Sequence, residues 1–374
     1  MIRRIFSIII KEFIHLRRDW WMPAFMLIGG ALELILVGWA TGRPITNLPL
    51  IVLDQDKTAA SQMVITQLEN TGTFNFQFWA NDMDEIRTKM DRGEVNAAVI
   101  IPDGFQTDMH SAHNQPTLLV LLNGADSTAA QEALRAVEGT TRTIGENLAL
   151  KRLGLSAKDL KRFDFSVRVR YNEELKESYY TTPAELALML EFTILLFAAL
   201  TFARERELGT LEQLLVMPFS SFEIILGKAI PVMLIGFVDF TFLLGMTTLF
   251  FGIPIRGSIV LLLILAVVYI LAELGKGLVV SVFSRSQHQA FLIVMLIGMT
   301  DFMFTGYAVP VETMPKILQW IANFVPAHHW LVIVRGILLK GSDLTVLWPH
   351  VLALAGLGLV IGGVSTLVMR KALN

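Results

Sequence analysis

The chain has 374 residues, of which 53% are hydrophobic and only 17% charged, against the roughly 25% charged residues usual in soluble domains. That balance excludes a wholly soluble enzyme and points to a membrane protein with a soluble part. The formal net charge of −2 offers nucleic acid no attraction, and with no cysteine there are no disulfides, thiolate metal sites or thiol nucleophile.

The first segment, "MIRRIFSIIIKEFIHLRRDWW" (1–21), keeps charges throughout, so it does not read as a cleavable signal peptide. Ile2, Ile5, Phe6, Ile9, Phe13, Leu16 and Trp20 recur at helical spacing, and Arg3, Arg4, Lys11, Arg17 and Arg18 fill much of the remainder. This pattern predicts a basic amphipathic helix lying in the membrane interface. A first spanning helix follows over 22–42, since about 20 apolar residues cross a bilayer.

Residues 43–182 read as a soluble insertion of domain size. Strands are expected at "LPLIVLD", "FNFQFWA", "NAAVIIP", "PTLLVLL" and "FSVRVRYN", and helices at "SQMVITQLEN", "DMDEIRTKMDRG" and Ser127–Leu153. The alternation predicts a mixed α/β domain. Asp54, Asp56 and Asp126 are read as turn and cap residues, because the further oxygen ligands of a calcium loop are missing. His110 and His113 have no evident third ligand.

Five more spans are predicted at about 183–202, 226–251, 258–283, 290–307 and 347–368. The apolar piece 326–339 is short, begins at Pro326 and is interrupted by Arg335, and reads as re-entrant or interfacial, like "TMPKILQWIANFVP" before it. The fold class is therefore a polytopic α-helical membrane protein of six spans with an inserted α/β domain between the first two. The Lys/Arg bias of short loops puts both termini and the 203–228 and 284–289 loops in the cytoplasm. Domain 43–182 then lies outside.

The 203–228 connector is elaborate. Arg204, Glu205, Arg206 and Glu207 form a charged collar, and Gly209 breaks the helix. Thr210 with Gln213 fits a capping box for a short helix with Leu211, Leu214 and Leu215 on its apolar face and Glu212 pointing away. Pro218 stops it, and Ser220 with Glu223 opens the next span. A separately capped helix at the membrane surface suits docking by a partner.

The stretch "ARERELGTLEQLLVMP" resembles the segment after the second span in permease subunits of type-2 ATP-binding-cassette (ABC-2) exporters, and "GYAVPVETMP" (306–315) resembles the stretch after their fifth span. The order of parts is similar over essentially the whole chain, nearest to bacterial drug-efflux permeases with a large periplasmic domain. The resemblance implies that 204–217 is the coupling helix seated in a groove of an ABC ATPase subunit. It implies that Arg204, Glu205, Glu207, Gly209, Thr210, Glu212 and Leu215 belong to that interface, with 284–289 as the second contact. It further implies a second permease half, identical or paralogous, location in the bacterial inner membrane among its lipids, efflux of drugs or other lipophilic compounds, and a periplasmic membrane-fusion adaptor as a further partner. The chain itself lacks a G-x-x-x-x-G-K-[ST] loop, so ATP and Mg are expected on the ATPase and no cofactor on this chain; it is not itself an enzyme. The competing reading is a membrane-anchored receptor or assembly factor, for which five further spans and a docking helix are excess. An intramembrane hydrolase would need a G-x-S-x-G or H-E-x-x-H motif, and neither is present.

Charges within spans are costly unless paired or facing water. Glu273 and Lys276, three apart on one helix, are expected to pair. Glu33, Glu191, Asp239 and Asp301 have no local partner; they are candidates for a substrate or proton path, for pairing with Arg or His across helices, or for a place near the interface if the span limits shift by a turn. In "AHHW" (327–330) adjacent histidines diverge on a helix, so joint metal ligation is not expected and interfacial anchoring is.

Overall fold

The computed structural model describes residues 1–111, 114–153, 170–173 and 176–373. They fall into two compact units, one of residues 44–168 and one of residues 1–43 with 169–374.

In chain order, α1 (Ile2–Arg18) and α2 (Trp21–Thr41) precede β1 (Leu48–Asp54), α3 (Ala59–Glu69), β2 (Phe74–Trp79), α4 (Met83–Asp91), β3 (Ala97–Ile101), α5 (Phe105–His110), β4 (Leu119–Leu122) and α6 (Ser127–Leu153). The sheet order is β2-β1-β3-β4, with β1 parallel to both neighbours and β4 antiparallel to β3. Parallel neighbours require crossovers, supplied by α3 and α4. Both faces of β1 are covered: Leu50 and Val52 pack with Val64 and Leu68 of α3, and Ile51 and Leu53 with Ile86 of α4. This is why "LPLIVLD" is apolar without alternation. Asp54 and Asp56 are spent on the turn after β1. One Asp54 oxygen accepts from the Asp56 and Lys57 amides (3.1 and 2.9 Å) and the other from the Ser61 hydroxyl (2.6 Å); Asp56 accepts from the Gln106 amide at 3.0 Å. Asp82 caps α4 and Asp126 accepts from the first amides of α6. His113 and most of the expected strand at 165–172 lie outside the described residues.

The second unit continues with α7 (Ser178–Glu207), α8 (Leu211–Val216), α9 (Ser221–Phe251), α10 (Ile259–Phe283), α11 (Gln287–Phe304), α12 (Lys316–Ala322), α13 (Pro326–Arg335) and α14 (Leu344–Leu373). Among the described residues six helices, α2, α7, α9, α10, α11 and α14, are long and apolar enough to cross a membrane. The predicted re-entrant piece is a bent pair, α12 and the helix 326–340, meeting at 85°. α7 is the axis of the unit. Its apolar stretch is 78% buried, against 22% for α2 and α11 and 11% for α14. A helix covered on all sides needs no polar face, and α7 carries the consecutive residues Ile194, Leu195, Leu196, Phe197 and Ala198 around its circumference, all buried.

Expected interfacial anchoring at "AHHW" is overturned. Trp330 is fully buried, stacked on Tyr269 of α10 (ring centroids 5.0 Å, planes 13° apart) with Phe240 at 5.5 Å. α13 is inserted among α7, α10 and α14, so its aromatic face meets protein rather than the bilayer surface.

Candidate functional site

The collar and the short α8 gather at one end of the helical unit, and local chemistry sets their geometry. Gly209 adopts φ +68°, a left-handed conformation that costs glycine little, and this ends α7. Met217 is extended (φ −69°, ψ 149°) ahead of Pro218, which ends α8. Ser220 then opens α9 through a reciprocal cap: its hydroxyl accepts from the Glu223 amide (3.3 Å), and its own amide donates to the Glu223 carboxylate (2.8 Å).

Thr210 does not form the expected box with Gln213. Its hydroxyl donates to the Glu205 carboxylate, because Glu205, 5% exposed, is a buried anion that needs donors. Lys11 of α1 and Lys228 of α9 (3.1 Å) supply the others. The Lys228 ammonium, 1% exposed, also donates to Glu12 of α1 (2.7 Å) and to the Thr201 carbonyl (3.2 Å). Arg204 pairs with Asp19 of α1, Arg206 donates to the Val282 carbonyl (2.9 Å) and to that of Ser284, and Glu207 accepts from the Gln287 amide (2.7 Å). Arg4 reaches the Pro218 carbonyl at 2.8 Å.

The seven predicted interface residues thus divide. Arg204, Glu205 and Thr210 turn inward and hold the end of α7 to α1 and α9. Glu207 is exposed but engaged with the first turn of α11. Gly209 and Glu212 are exposed, and with Leu208, Gln213, Val216 and Met217 they form an outward surface. The side chains of Leu214 and Leu215 lie outside the described residues. Lys228, Glu12, Lys11 and Asp19 were not singled out from the sequence. The available signal was two acids, Glu12 and Asp19, in an otherwise basic helix. α1 docks on α9 through the face bearing Ile8 and Glu12, and leaves Ile2, Phe6, Ile10, Phe13 and Ile14 exposed.

The four candidate carboxylates also separate. Glu191 of α7 and Asp301 of α11 converge on Lys276 of α10 at 3.4 and 2.6 Å, with Glu273 at 2.7 Å. Glu191 and Asp301 pair across helices, with a lysine rather than the expected Arg or His. Asp239 is buried, and neither of its oxygens accepts a hydrogen bond of good geometry. It borders a recess lined by Phe13, Pro23, Leu27 and Thr193. Glu33 is exposed on α2 and lines a groove of about 570 Å³ between α2, α7 and α11, with Phe25, Met26, Met189, Phe192, Phe291 and Met295.

At the opposite end of these helices, "GYAVP" forms a turn at Gly306 (φ +86°). The Gly306 carbonyl accepts from the Tyr180 hydroxyl (2.9 Å) and from Arg335 (3.1 Å), whose guanidinium also reaches the Tyr180 carbonyl (2.9 Å) and lies 3.8 Å over its ring. Tyr307 donates to Glu185 at 2.8 Å. Near this turn His328 and His329 are joined by His350 of α14, an approach that helical phase within "AHHW" alone does not reveal.

A profile of the family described as "ABC-2 family transporter protein" matches residues 20–367, from the start of α2 into the last turns of α14. The chain belongs to the ABC-2 transporter family. This ABC-2 chain is 27% identical over 371 residues to the probable multidrug ABC transporter permease YbhR of Escherichia coli (strain K12), covering 99% of both chains. It is 26% identical over 380 residues to the inner membrane transport permease YhhJ of the same organism, covering 100% of this chain and 98% of that one. ABC transporter G family member 20 of Dictyostelium discoideum is 24% identical over 342 residues, covering 89% of this ABC-2 chain but 46% of the relative.

Proposed function

We propose that this chain is the membrane-spanning permease half of an ATP-driven exporter, docked by a separate ATPase on the outward surface of α8. One observation carries this: a short helix bracketed by Gly209 and Pro218 displays Glu212, Gln213, Val216 and Met217, while its root is held by buried ion pairs to α1 and α9. A flexible connector would absorb a push; a rooted one transmits it to three helices together. The sequence has no phosphate-binding loop, so ATP and Mg belong on the partner. The shared end of α1, α8 and the 284–286 turn faces the cytoplasm, where short basic loops are retained, and the α/β unit lies in the periplasm. The relatives named as multidrug and inner membrane permeases support the same function and location. The thinly covered α2, α11 and α14 suit lipid and a second permease half. Cargo is lipophilic and cationic. The groove of α2, α7 and α11 offers adaptable methionines and aromatics with one carboxylate, Glu33.

A tagged chain purified from its native membrane in mild detergent is expected to carry an ATPase subunit, and Glu212→Arg to lose it. Equal recovery of the ATPase with both would remove α8 as the docking element, and its absence from both would favour the receptor reading.

A further inference from the structure

We propose that His328, His329 and His350 form a binding site for a divalent cation of the zinc class. One ring nitrogen from each lies within 4.8 Å of the other two. The His329 and His350 Nδ1 atoms are 3.1 Å apart. Tetrahedral zinc with bonds of about 2.0–2.1 Å holds its ligand nitrogens about 3.3 Å apart, so His329 and His350 already stand at ligand spacing and the His328 nitrogen has to close from at most 4.8 Å. His328 and His329 are buried, and His350 is half-buried.

The hydrogen bonds around the cluster set the tautomers a metal requires at His328 and His329. A backbone carbonyl only accepts. His328 meets the Thr305 carbonyl through Nδ1 (3.2 Å), so Nδ1 carries the proton and Nε2 keeps a free lone pair. His329 meets the Asn323 carbonyl through Nε2 (2.9 Å), so its Nδ1 carries a lone pair, and that lone pair accepts from the His350 Nδ1–H at 3.1 Å, the proton that a cation would displace. A carbonyl fixing one ring nitrogen while the other points into a shared space is the usual support of a ligating histidine. Neutral imidazoles without thiolate or carboxylate select zinc, copper or nickel over magnesium or calcium. Three ligands leave one position of a tetrahedron open for water.

The three residues come from two elements. His328 and His329 begin α13, after the bend, and His350 is in the second turn of α14. A bound cation would therefore fasten the bent hairpin to the last span, beside the Gly306 turn that Arg335 and Tyr180 already hold.

The full chain, purified in detergent through a tag other than oligohistidine and stripped with chelator, is titrated with Zn²⁺ against a chromophoric competitor, and in parallel with Co²⁺. The expected result is one cation per chain, visible Co²⁺ ligand-field bands of a low-coordinate nitrogen site, and affinity at least tenfold weaker in His350→Gln and in His328→Gln but unchanged in the control His110→Gln. Zn²⁺ should raise the melting temperature of the wild type and not of His350→Gln. Zn²⁺ binding that is equal in wild type and His350→Gln would overturn the site. If that variant does not fold, the wild-type Co²⁺ spectrum decides alone: no such bands means a hydrogen-bonded histidine cluster only.

Discussion

Lys228 ties together the end of the helical unit at which α1, α7 and α9 meet. Its ammonium is fully enclosed and answers two carboxylates, Glu12 and Glu205, and a backbone carbonyl. Removing one member of a buried ion set costs about 3–5 kcal/mol, because the remaining charges stay buried without compensation. Lys228→Met should therefore lower the melting temperature of the purified permease and weaken recovery of its ATPase. Glu205 retains Lys11, so its loss of support is partial, and the double variant Lys228→Met/Glu205→Gln should recover part of the lost stability. Strict additivity of the two changes in melting temperature would show that the side chains do not interact. Under the proposed docking, Glu205 and Arg204 position α8 and Glu212 contacts the ATPase.

At the scale of elements, α1 is a docked helix with a second, unpartnered face. Ile8 sits where a side chain at position 227 would begin: a Cβ there would lie 2.6 Å from the Ile8 Cβ and Cγ2 atoms. Gly227 is what allows α1 to approach α9 closely enough for Glu12 to reach Lys228. Gly227→Val should push α1 off, at a cost of about 1–3 kcal/mol for overpacking, and expose the Arg17–Arg18 segment to trypsin. The readout is the rate at which the N-terminal peptide is released from detergent-solubilised protein; a rate equal to wild type would mean that α1 is held elsewhere. The apolar residues on the free face, from Ile2 to Ile14, then need another environment, such as a helix lying in a membrane interface would have.

For the whole molecule, the buried carboxylates sort into structural and exposed roles. Lys276 joins three helices, with Glu191 on α7, Glu273 on its own α10 and Asp301 on α11. Lys276→Met should destabilise the whole bundle and reduce the amount of folded protein in the membrane. Glu33 touches no such set and faces the groove. Glu33→Gln should leave the melting temperature unchanged and reduce export of lipophilic cations while sparing neutral cargo. Export of cations at the wild-type rate would remove the groove from the transport path.

Span number and approximate limits follow from the sequence alone, since crossing a bilayer depends on a local sum of apolar residues. The predicted spans at 22–42 and 258–283 lie within a residue or so of α2 and α10, and "LPLIVLD" is β1 to the residue. Gly209, Pro218 and the Ser220–Glu223 cap were equally legible, because turn and cap chemistry acts over three or four residues. Which polar groups meet was not. Lys276 lies 85 residues from Glu191 and 25 from Asp301, Lys228 lies 216 from Glu12, and His329 lies 21 from His350. In a poorly solvated interior a buried ionisable group either finds a partner or gives up its charge, but the choice among candidate partners depends on which helix faces are brought together, and only the packing of α1, α7, α9, α10, α13 and α14 decided that. The same packing took Thr210 from its expected cap and Trp330 from the membrane surface.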